Sequence, residues 1–163
     1  TGVQTCALPI SAVWEGWLAD AAATRALGAA LARELPAGAL LLLHGDLGAG
    51  KTCLVQGLAE DLGIEEPITS PTFALAQHYS APGATALVHL DLYRLELPAA
   101  ADELFAQEEE EAQALGALMA VEWPGRLSFV PEGAWQLALE LADPADPDAG
   151  RLARLSGTDR RLD

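Results

Sequence analysis

Two apolar patterns alternate along this chain, and together they predict an α/β fold. Near-continuous apolar runs of strand length occupy 39–44 and 117–121, as in strands that are covered on both faces of a sheet. Alternation at 135–142 and further apolar segments at 73–79, 85–92 and 152–155 predict additional strands. Apolar residues recur every three or four positions at 21–35 and 51–62, which predicts two amphipathic helices, the first capped by Asp20.

The remaining segments fit one domain with a mixed parallel and antiparallel sheet flanked by helices. A turn at 80–83 joins two of the predicted strands into a hairpin. Residues 96–113 are helical in pattern and include four glutamates at 108–111, interpreted as a solvated helix face or a frayed loop, with a ligand role as the alternative. No linker or repeat interrupts 10–156, whose start at 10–18 is a strand or an irregular lead-in. We expect 1–9 to be a non-native or disordered lead-in and 157–163 to be a tail.

A glycine-rich loop joins the first buried strand to the helix that follows it. It has the spacing of a phosphate-binding P-loop, Gly45-Asp46-Leu47-Gly48-Ala49-Gly50-Lys51-Thr52. Glycines adopt backbone angles closed to other residues, so successive N–H groups and the positive end of the helix can surround a phosphate. Lys51 is expected to reach the terminal phosphates, and the hydroxyl of Thr52 to bind Mg²⁺. The loop therefore predicts a nucleotide site in a small P-loop domain.

Composition and charge strengthen that prediction and exclude some partners. The chain has 163 residues, 24 acidic side chains and a net charge of −15, yet Lys51 is its only lysine. An acidic surface repels phosphate backbones, so this chain is not expected to bind nucleic acid tightly by itself. No apolar run approaches the ~18 residues of a membrane span. Cys6 and Cys53 are expected to be reduced, which together with a nucleotide site indicates a cytoplasmic protein.

Two carboxylates compete for the role of completing a Mg²⁺ shell. Asp91 ends the apolar run that begins near position 87, and Glu122 ends the run at 118–121. An unpaired charge at the end of a buried strand is costly, which favours a ligand or hydrogen-bonded role for each. Spacing alone does not rank them, and the alternative for either is a strand-end acid satisfied by a cap or by Arg94.

A hydroxyl-rich loop precedes the predicted hairpin. Thr72 and Ser70, and also Thr69, are candidates to contact the terminal phosphate, as switch loops do. Turn and helix-capping chemistry is an equally good explanation of these residue types. His44, His78 and His89 are interpreted as packed or hydrogen-bonded strand residues. Trp123 is interpreted as a core or rim aromatic, with base stacking as the alternative because it lies beside Glu122.

Four motifs in this order resemble the TsaE (YjeE) family, the ATPase subunits of bacterial tRNA threonylcarbamoyladenosine biosynthesis. They are the P-loop at 45–52, Ser70-Pro71-Thr72-Phe73, His89-Leu90-Asp91-Leu92-Tyr93-Arg94 and Glu122-Trp123-Pro124. The likeness extends over 20–156, and the last three motifs make it specific, because the P-loop alone is generic.

The resemblance implies a complete set of nucleotide and metal contacts. Residues 48–52 with Cys53 would hold the phosphates of ATP. Thr52 and Glu122 would hold Mg²⁺, with Asp91 close to the metal or its water shell. The segment holding Ser70 and Thr72 would act as a switch. Contacts to the adenine nucleotide are implied near Ala21 and at a C-terminal arginine, Arg151 or alternatively Arg154.

The resemblance also implies partners. These would be the synthase that transfers threonylcarbamoyl to adenosine 37 of tRNA and its inactive paralogue, so tRNA would be contacted only through the complex. ATP binding and hydrolysis would reset that complex. Two alternatives are a non-catalytic nucleotide switch or scaffold and a small-molecule kinase. The kinase is disfavoured because, histidines aside, Arg94 is the only basic residue between Thr52 and Gly125, whereas a kinase lid needs cations.

Overall fold

The computed structural model describes residues 13–69, 75–82 and 84–157, with the backbone alone for 84 and 85. Within these ranges the chain forms seven β-strands and three α-helices. The strands are β1 (Trp14–Leu18), β2 (Leu40–His44), β3 (Ala76–Ala81), β4 (Ala84–Asp91), β5 (Leu118–Glu122), β6 (Trp135–Leu141) and β7 (Arg151–Ser156). The helices are α1 (Ala21–Glu34), α2 (Lys51–Asp61) and α3 (Pro98–Leu115).

All strands belong to one sheet in the order β1-β7-β6-β2-β5-β4-β3. The pairs β6–β2, β2–β5 and β5–β4 are parallel, and the pairs β1–β7, β7–β6 and β4–β3 are antiparallel. The predicted α/β class with a mixed sheet is therefore confirmed. The strand that leads into the P-loop, β2, lies in the middle of the sheet, which explains why its sequence is apolar on both faces.

Helices cover both faces of the sheet. Leu41 and Leu43 of β2 join the core under α1 and α2, whereas Leu42 points to the other face and joins the core under α3. Phe105 is 1% exposed and anchors α3 in that second core. The site at the end of β2 thus rests on a strand held from both sides.

Most predicted elements occur within a few residues of their expected bounds. Asp20 caps α1, its Oδ1 accepting a hydrogen bond of 2.9 Å from the N–H of Ala23. The hairpin is present as β3 and β4, but β3 starts at Ala76, and the residues before 75 lie outside the described ranges.

The acidic stretch at 108–111 belongs to a regular helix. α3 extends through it to Leu115, so the stretch is helical and not a frayed loop; Glu110 and Glu111 are exposed, whereas Glu108 and Glu109 are partly buried. Glu108 accepts a hydrogen bond of 2.7 Å from Nε2 of His78 on the edge strand β3. None of the described helices is both long enough and apolar enough to cross a membrane.

Candidate nucleotide site

The P-loop has the backbone of a phosphate cradle. Gly48 and Gly50 have φ values of 85° and 108°, in the left-handed region that residues with a Cβ atom rarely adopt. Gly50 is also crowded, because a Cβ added there would lie 2.6 Å from Nη1 of Arg151. α2 begins at the next residue, so its first N–H groups face the loop. These features explain the glycine spacing in the sequence.

The ammonium of Lys51 is folded back onto the loop. Its side chain is buried, and Nζ donates hydrogen bonds to the carbonyl of Gly45 and, at 3.0 Å, to that of Asp46. Burial lowers the pKa of Lys51, and the nearby carboxylates of Glu122, Asp91 and Asp46 partly oppose that effect. Lys51 can bind phosphates if its ammonium exchanges the carbonyls of Gly45 and Asp46 for phosphate oxygens.

The sheet brings the two candidate acids together. β2, β5 and β4 run parallel, so their carboxyl ends meet at one edge of the sheet beside the P-loop. Glu122 is paired in register with Leu43 on one side and with Asp91 on the other. The strand order therefore distinguishes the positions of the two acids, which their spacing in the sequence does not. It places Glu122 on the strand next to the P-loop strand and Asp91 one strand farther out.

Glu122 is buried and has a specific partner. Only 3% of its surface is exposed, and Oε2 lies 2.7 Å from Nε2 of His89, a residue of β4 with no exposed surface. The other ring nitrogen of His89, Nδ1, is buried and has no hydrogen-bond partner among the described residues. His89 was predicted to be a packed or hydrogen-bonded strand residue, which is correct, but its partner was missed. The available signal was its place two residues before Asp91, on the same face of the strand.

Asp91 is half-buried and is held at the rim of the site. Its Oδ1 accepts a hydrogen bond of 3.0 Å from the N–H of Tyr93. Burial raises the pKa of the Asp91 carboxyl, the Tyr93 N–H lowers it, and the Glu122 charge raises it further, against smaller lowering effects of His89 and Lys51. The N–H of Tyr93 thus provides part of the strand-end cap that was the predicted alternative for Asp91.

Trp123 forms the wall opposite the loop. It directly follows Glu122, and among the described residues other than glycine it alone has a positive φ, 59°. Its ring lies 4.8 Å from the Tyr93 ring, centroid to centroid, and 4.7 Å from Nζ of Lys51. The aromatic therefore contributes to the site as well as to packing.

The three other predicted nucleotide residues lie at different depths. Thr52 and Cys53 are half-buried in the first turn of α2, and the thiol of Cys53 donates to the carbonyl of Ala21 at 3.4 Å. Arg151 is buried behind the loop, where Nη1 donates to the carbonyl of Ala49 at 2.9 Å and Nη2 to that of Pro147 at 2.8 Å. Its alternative, Arg154, lies on the outer part of the sheet and pairs with Glu15.

These elements enclose one cleft of about 280 Å³. Most of the predicted phosphate and metal residues line it, together with two aromatics and a loop leucine: Gly48, Gly50, Lys51, Thr52, Cys53, Asp91, Glu122, Leu47, Tyr93 and Trp123. Ser70 and Thr72 lie outside the described residues, and Thr69, the last residue before them, is exposed.

The chemistry of the cleft fits a nucleotide with a divalent metal. Positive-φ glycines beside a buried ammonium provide for phosphate, and two carboxylates with one hydroxyl provide the hard oxygen donors that Mg²⁺ prefers. The residues that would hold the metal are thus present on three different elements at one end of the sheet.

Comparisons with known proteins agree with this geometry. The family model for "Threonylcarbamoyl adenosine biosynthesis protein TsaE" matches residues 18–148. A tRNA threonylcarbamoyladenosine biosynthesis protein TsaE from a Nostoc species is 41% identical over 133 residues, which is 82% of this chain and 82% of that protein. A protein of the same name from a Synechocystis species is 48% identical over 120 residues, covering 72% of this chain and 74% of that protein.

A solved structure has the same fold. The crystal structure of Bacillus subtilis YdiB superimposes with a TM-score of 0.68 at 25% sequence identity, covering 94% of this chain and 91% of that one. A TsaE protein from Streptomyces coelicolor is 37% identical over 139 residues, or 84% of this chain and 92% of that protein. The relatives thus match this chain over most of its length.

Proposed function

The chain belongs to the TsaE family, a family of P-loop NTPase-type proteins of tRNA threonylcarbamoyladenosine biosynthesis, and on that basis we propose that it is a Mg²⁺-dependent ATPase. Its hydrolysis of ATP resets or regulates the partner complex that modifies adenosine 37 of tRNA. Because that modification takes place where tRNA is, a cytoplasmic location is part of the proposal.

One observation carries the proposal. Two strand-end carboxylates, Asp91 and Glu122, are neighbours in register and share a cleft with the P-loop lysine. A purely structural role does not explain two acids at the end of buried strands beside a buried ammonium, because their mutual repulsion and desolvation are costly. Metal-assisted phosphoryl chemistry needs this combination of charges.

The proposed roles follow from position. When bound, ATP would supply the phosphoanhydride bond to be cleaved, and Mg²⁺ would supply positive charge that offsets the negative charge of the phosphates. Lys51 binds the terminal phosphates, while the backbone N–H groups of 48–53 surround them. Thr52 and Glu122 would hold the metal, and Asp91, one strand farther out, would lie close to the metal or its water shell. We keep Thr72 as a proposed contact to the terminal phosphate.

Arg151 has a less direct place in this proposal. Its guanidinium donates to the Ala49 carbonyl from behind the loop. We propose that Arg151 supports the nucleotide-binding conformation of the P-loop from behind. We also propose that it contacts the bound nucleotide.

The proposed partners are the threonylcarbamoyl-transferring synthase subunit and its inactive paralogue. With a net charge of −15, the chain is suited to contact tRNA only through that complex. The small-molecule kinase is less well supported. Among the described residues that line the cleft, Lys51 is the one basic side chain, whereas a kinase needs further cations to clamp the transferred group.

The test is ATP hydrolysis by the chain alone and with both partner subunits added. We expect turnover to rise on addition, to vanish in Lys51→Ala, and to need Glu122 for its metal dependence. Arg33→Ala is the matched control, since it also removes one positive charge, but from an exposed pair with Asp61. Normal hydrolysis by Lys51→Ala would disprove the proposed site. Binding of ATP without turnover in either condition would instead favour the nucleotide switch.

A further inference from the structure

We propose that His89 is a positioning residue for the metal site, which fixes the Glu122 carboxylate by donating a hydrogen bond to its Oε2. The proposal rests on the proposed function, in which Glu122 is a Mg²⁺ ligand. It adds a residue of β4 that does not line the cleft and acts through Glu122 alone.

The contact between the two side chains has a defined direction. Nε2 of His89 lies 2.7 Å from Oε2 of Glu122. An ionised carboxylate can only accept hydrogen bonds, so the hydrogen must be on Nε2. With Oε2 engaged in this way, Oε1 is the oxygen left for a metal in the cleft that Glu122 lines. Metal-binding carboxylates are commonly oriented by such second partners.

The second ring nitrogen of His89, Nδ1, indicates that a histidine at this position costs folding stability. His89 has no exposed surface, and Nδ1 is buried without a hydrogen-bond partner among the described residues. An unsatisfied buried polar atom costs about 1–3 kcal/mol, so an apolar side chain would be better for stability alone. Its neighbours at alternate positions under α1 and α2, Leu87 of β4 and Ala120 of β5, are apolar. The contact with Glu122 gives a reason for the exception.

The register of the strands explains why this position is the suitable one. Asp91 pairs with Glu122, and His89 pairs with Ala120, so all four side chains lie on the face of the sheet beneath α2. His89 therefore approaches Glu122 diagonally across the strand pair, from a fully buried position that does not line the cleft. Asp91, by contrast, stands beside Glu122 at the rim, where it lines the cleft.

Two amide variants separate the hydrogen bond from the bulk of the ring. The amide nitrogen of glutamine is as many bonds from Cβ as Nε2 of histidine, whereas that of asparagine corresponds to Nδ1. His89→Gln should therefore keep the donor to Glu122, and His89→Asn should lose it. His78→Asn is the control, because His78 also makes a 2.7 Å contact with a glutamate, Glu108, but at an exposed edge strand remote from the cleft.

The quantity to measure is the gain in ADP affinity that Mn²⁺ produces, the ratio of the dissociation constants in EDTA and in saturating Mn²⁺, by calorimetry on the full chain. We expect His89→Asn to reduce that gain about 10-fold, as loss of a supporting partner does at other metal sites. His89→Gln and His78→Asn should keep it. Affinity in EDTA should be the same in all variants, which shows that the P-loop is intact.

Glu122→Gln separates failure of this inference from failure of the proposed function. If that variant keeps the Mn²⁺ gain, Glu122 is not a ligand, and both this inference and the metal role proposed for Glu122 are overturned. If Glu122→Gln loses the gain but His89→Asn keeps it, only the role of His89 is overturned. An equal loss in His89→Gln and His89→Asn would also overturn it, because the hydrogen bond would not be the cause.

Discussion

The ammonium of Lys51 lies 4.7 Å from the centroid of the Trp123 ring, a cation–π contact that helps to hold the lysine against its own loop. Trp123 reaches this place through a strained backbone, since its φ is 59° and the residue after it is proline. Strain of this kind persists only where the surroundings enforce it, and here it directly follows Glu122. The tryptophan is therefore placed to respond when Lys51 moves.

We predict that nucleotide binding changes the fluorescence of Trp123. Lys51 must release the carbonyls of Gly45 and Asp46 to bind phosphates, which alters the charge above the indole. A titration with ADP and Mg²⁺ should change the emission of the chain, and Trp123→Phe should abolish most of the change. Trp17→Phe is the control, because Trp17 is half exposed on the outer strand β1. Retention of the full change in Trp123→Phe would contradict the prediction.

Asp91 provides a prediction about pH and stability. Its pKa is raised by burial and by Glu122, so the folded state binds a proton at Asp91 more tightly than the unfolded state does. The ionised carboxylate therefore destabilises the fold above the ordinary pKa of aspartate, and the penalty disappears in acid. We expect Asp91→Asn to melt higher than wild type near neutral pH, although the variant should hydrolyse ATP poorly.

Melting curves from about pH 3, below the ordinary pKa of aspartate, to about pH 8 test whether Asp91→Asn is stabilising in this direction. The gain of Asp91→Asn over wild type should grow as pH rises through the raised pKa and fall to nothing at the acid end. Asp148→Asn is the control for the general relief of negative charge, because Asp148 is exposed and is not among the residues that line the cleft. A gain of the same size in both variants, or one that is independent of pH, would refute the explanation.

The sequence predicts this site as far as local patterns extend. Strand, glycine loop and helix are contiguous, so periodicity and glycine spacing suffice to place Lys51 and Thr52. The order of the strands is not a local property, and so the sequence alone did not rank Asp91 and Glu122. Only the sheet shows that β5 lies next to β2 and that β4 lies beyond it.

The same reason explains the missed partner of Glu122. His89 and Glu122 are far apart in sequence, and a histidine inside an apolar run is ordinarily a packed residue. Their contact depends on the register between β4 and β5, in which His89 faces Ala120 two residues before Glu122. No pattern in either segment alone encodes that register.

Arg151 leads to a third prediction. Its two hydrogen bonds join Ala49 of the P-loop to Pro147 of the turn before β7, so it supports the loop from behind. Lysine cannot replace this fork, because a single ammonium does not match two separated carbonyls. We expect Arg151→Lys to weaken ADP binding about 10-fold, since a hydrogen bond from a charged donor contributes about 1.5–3 kcal/mol.

Calorimetric titration of ADP into both arginine variants provides the check. Arg154→Lys should bind like wild type, because its pair with Glu15 is exposed and such pairs contribute about 0–1 kcal/mol. Equal affinities for Arg151→Lys and wild type would show that the fork does not support the loop. A larger loss of ADP affinity in Arg154→Lys than in Arg151→Lys would favour Arg154 as the nucleotide contact.

The contact between α1 and α2 gives the last prediction, because two glycines bring these helices together. A Cβ on Gly28 would lie 2.1 Å from the carbonyl oxygen of Leu54, and one on Gly57 would lie 1.9 Å from that of Arg25. Both clashes are with backbone, so a rotamer change cannot relieve them. We expect Gly28→Ala to destabilise the fold by about 1–3 kcal/mol, as overpacking does, which lowers the melting temperature by about 2–4 °C per kcal/mol.

Thermal unfolding followed by circular dichroism measures the effect, with Gly125→Ala as the matched control. Gly125 has no neighbour within 4 Å of an added Cβ and no positive φ, so its variant should stay within about 0.5 kcal/mol of wild type. α2 begins at the P-loop, and a displaced α2 moves Lys51 and Thr52 with it. Gly28→Ala should therefore also weaken ADP binding, and a variant that melts and binds like Gly125→Ala would contradict this coupling of helix packing to the site.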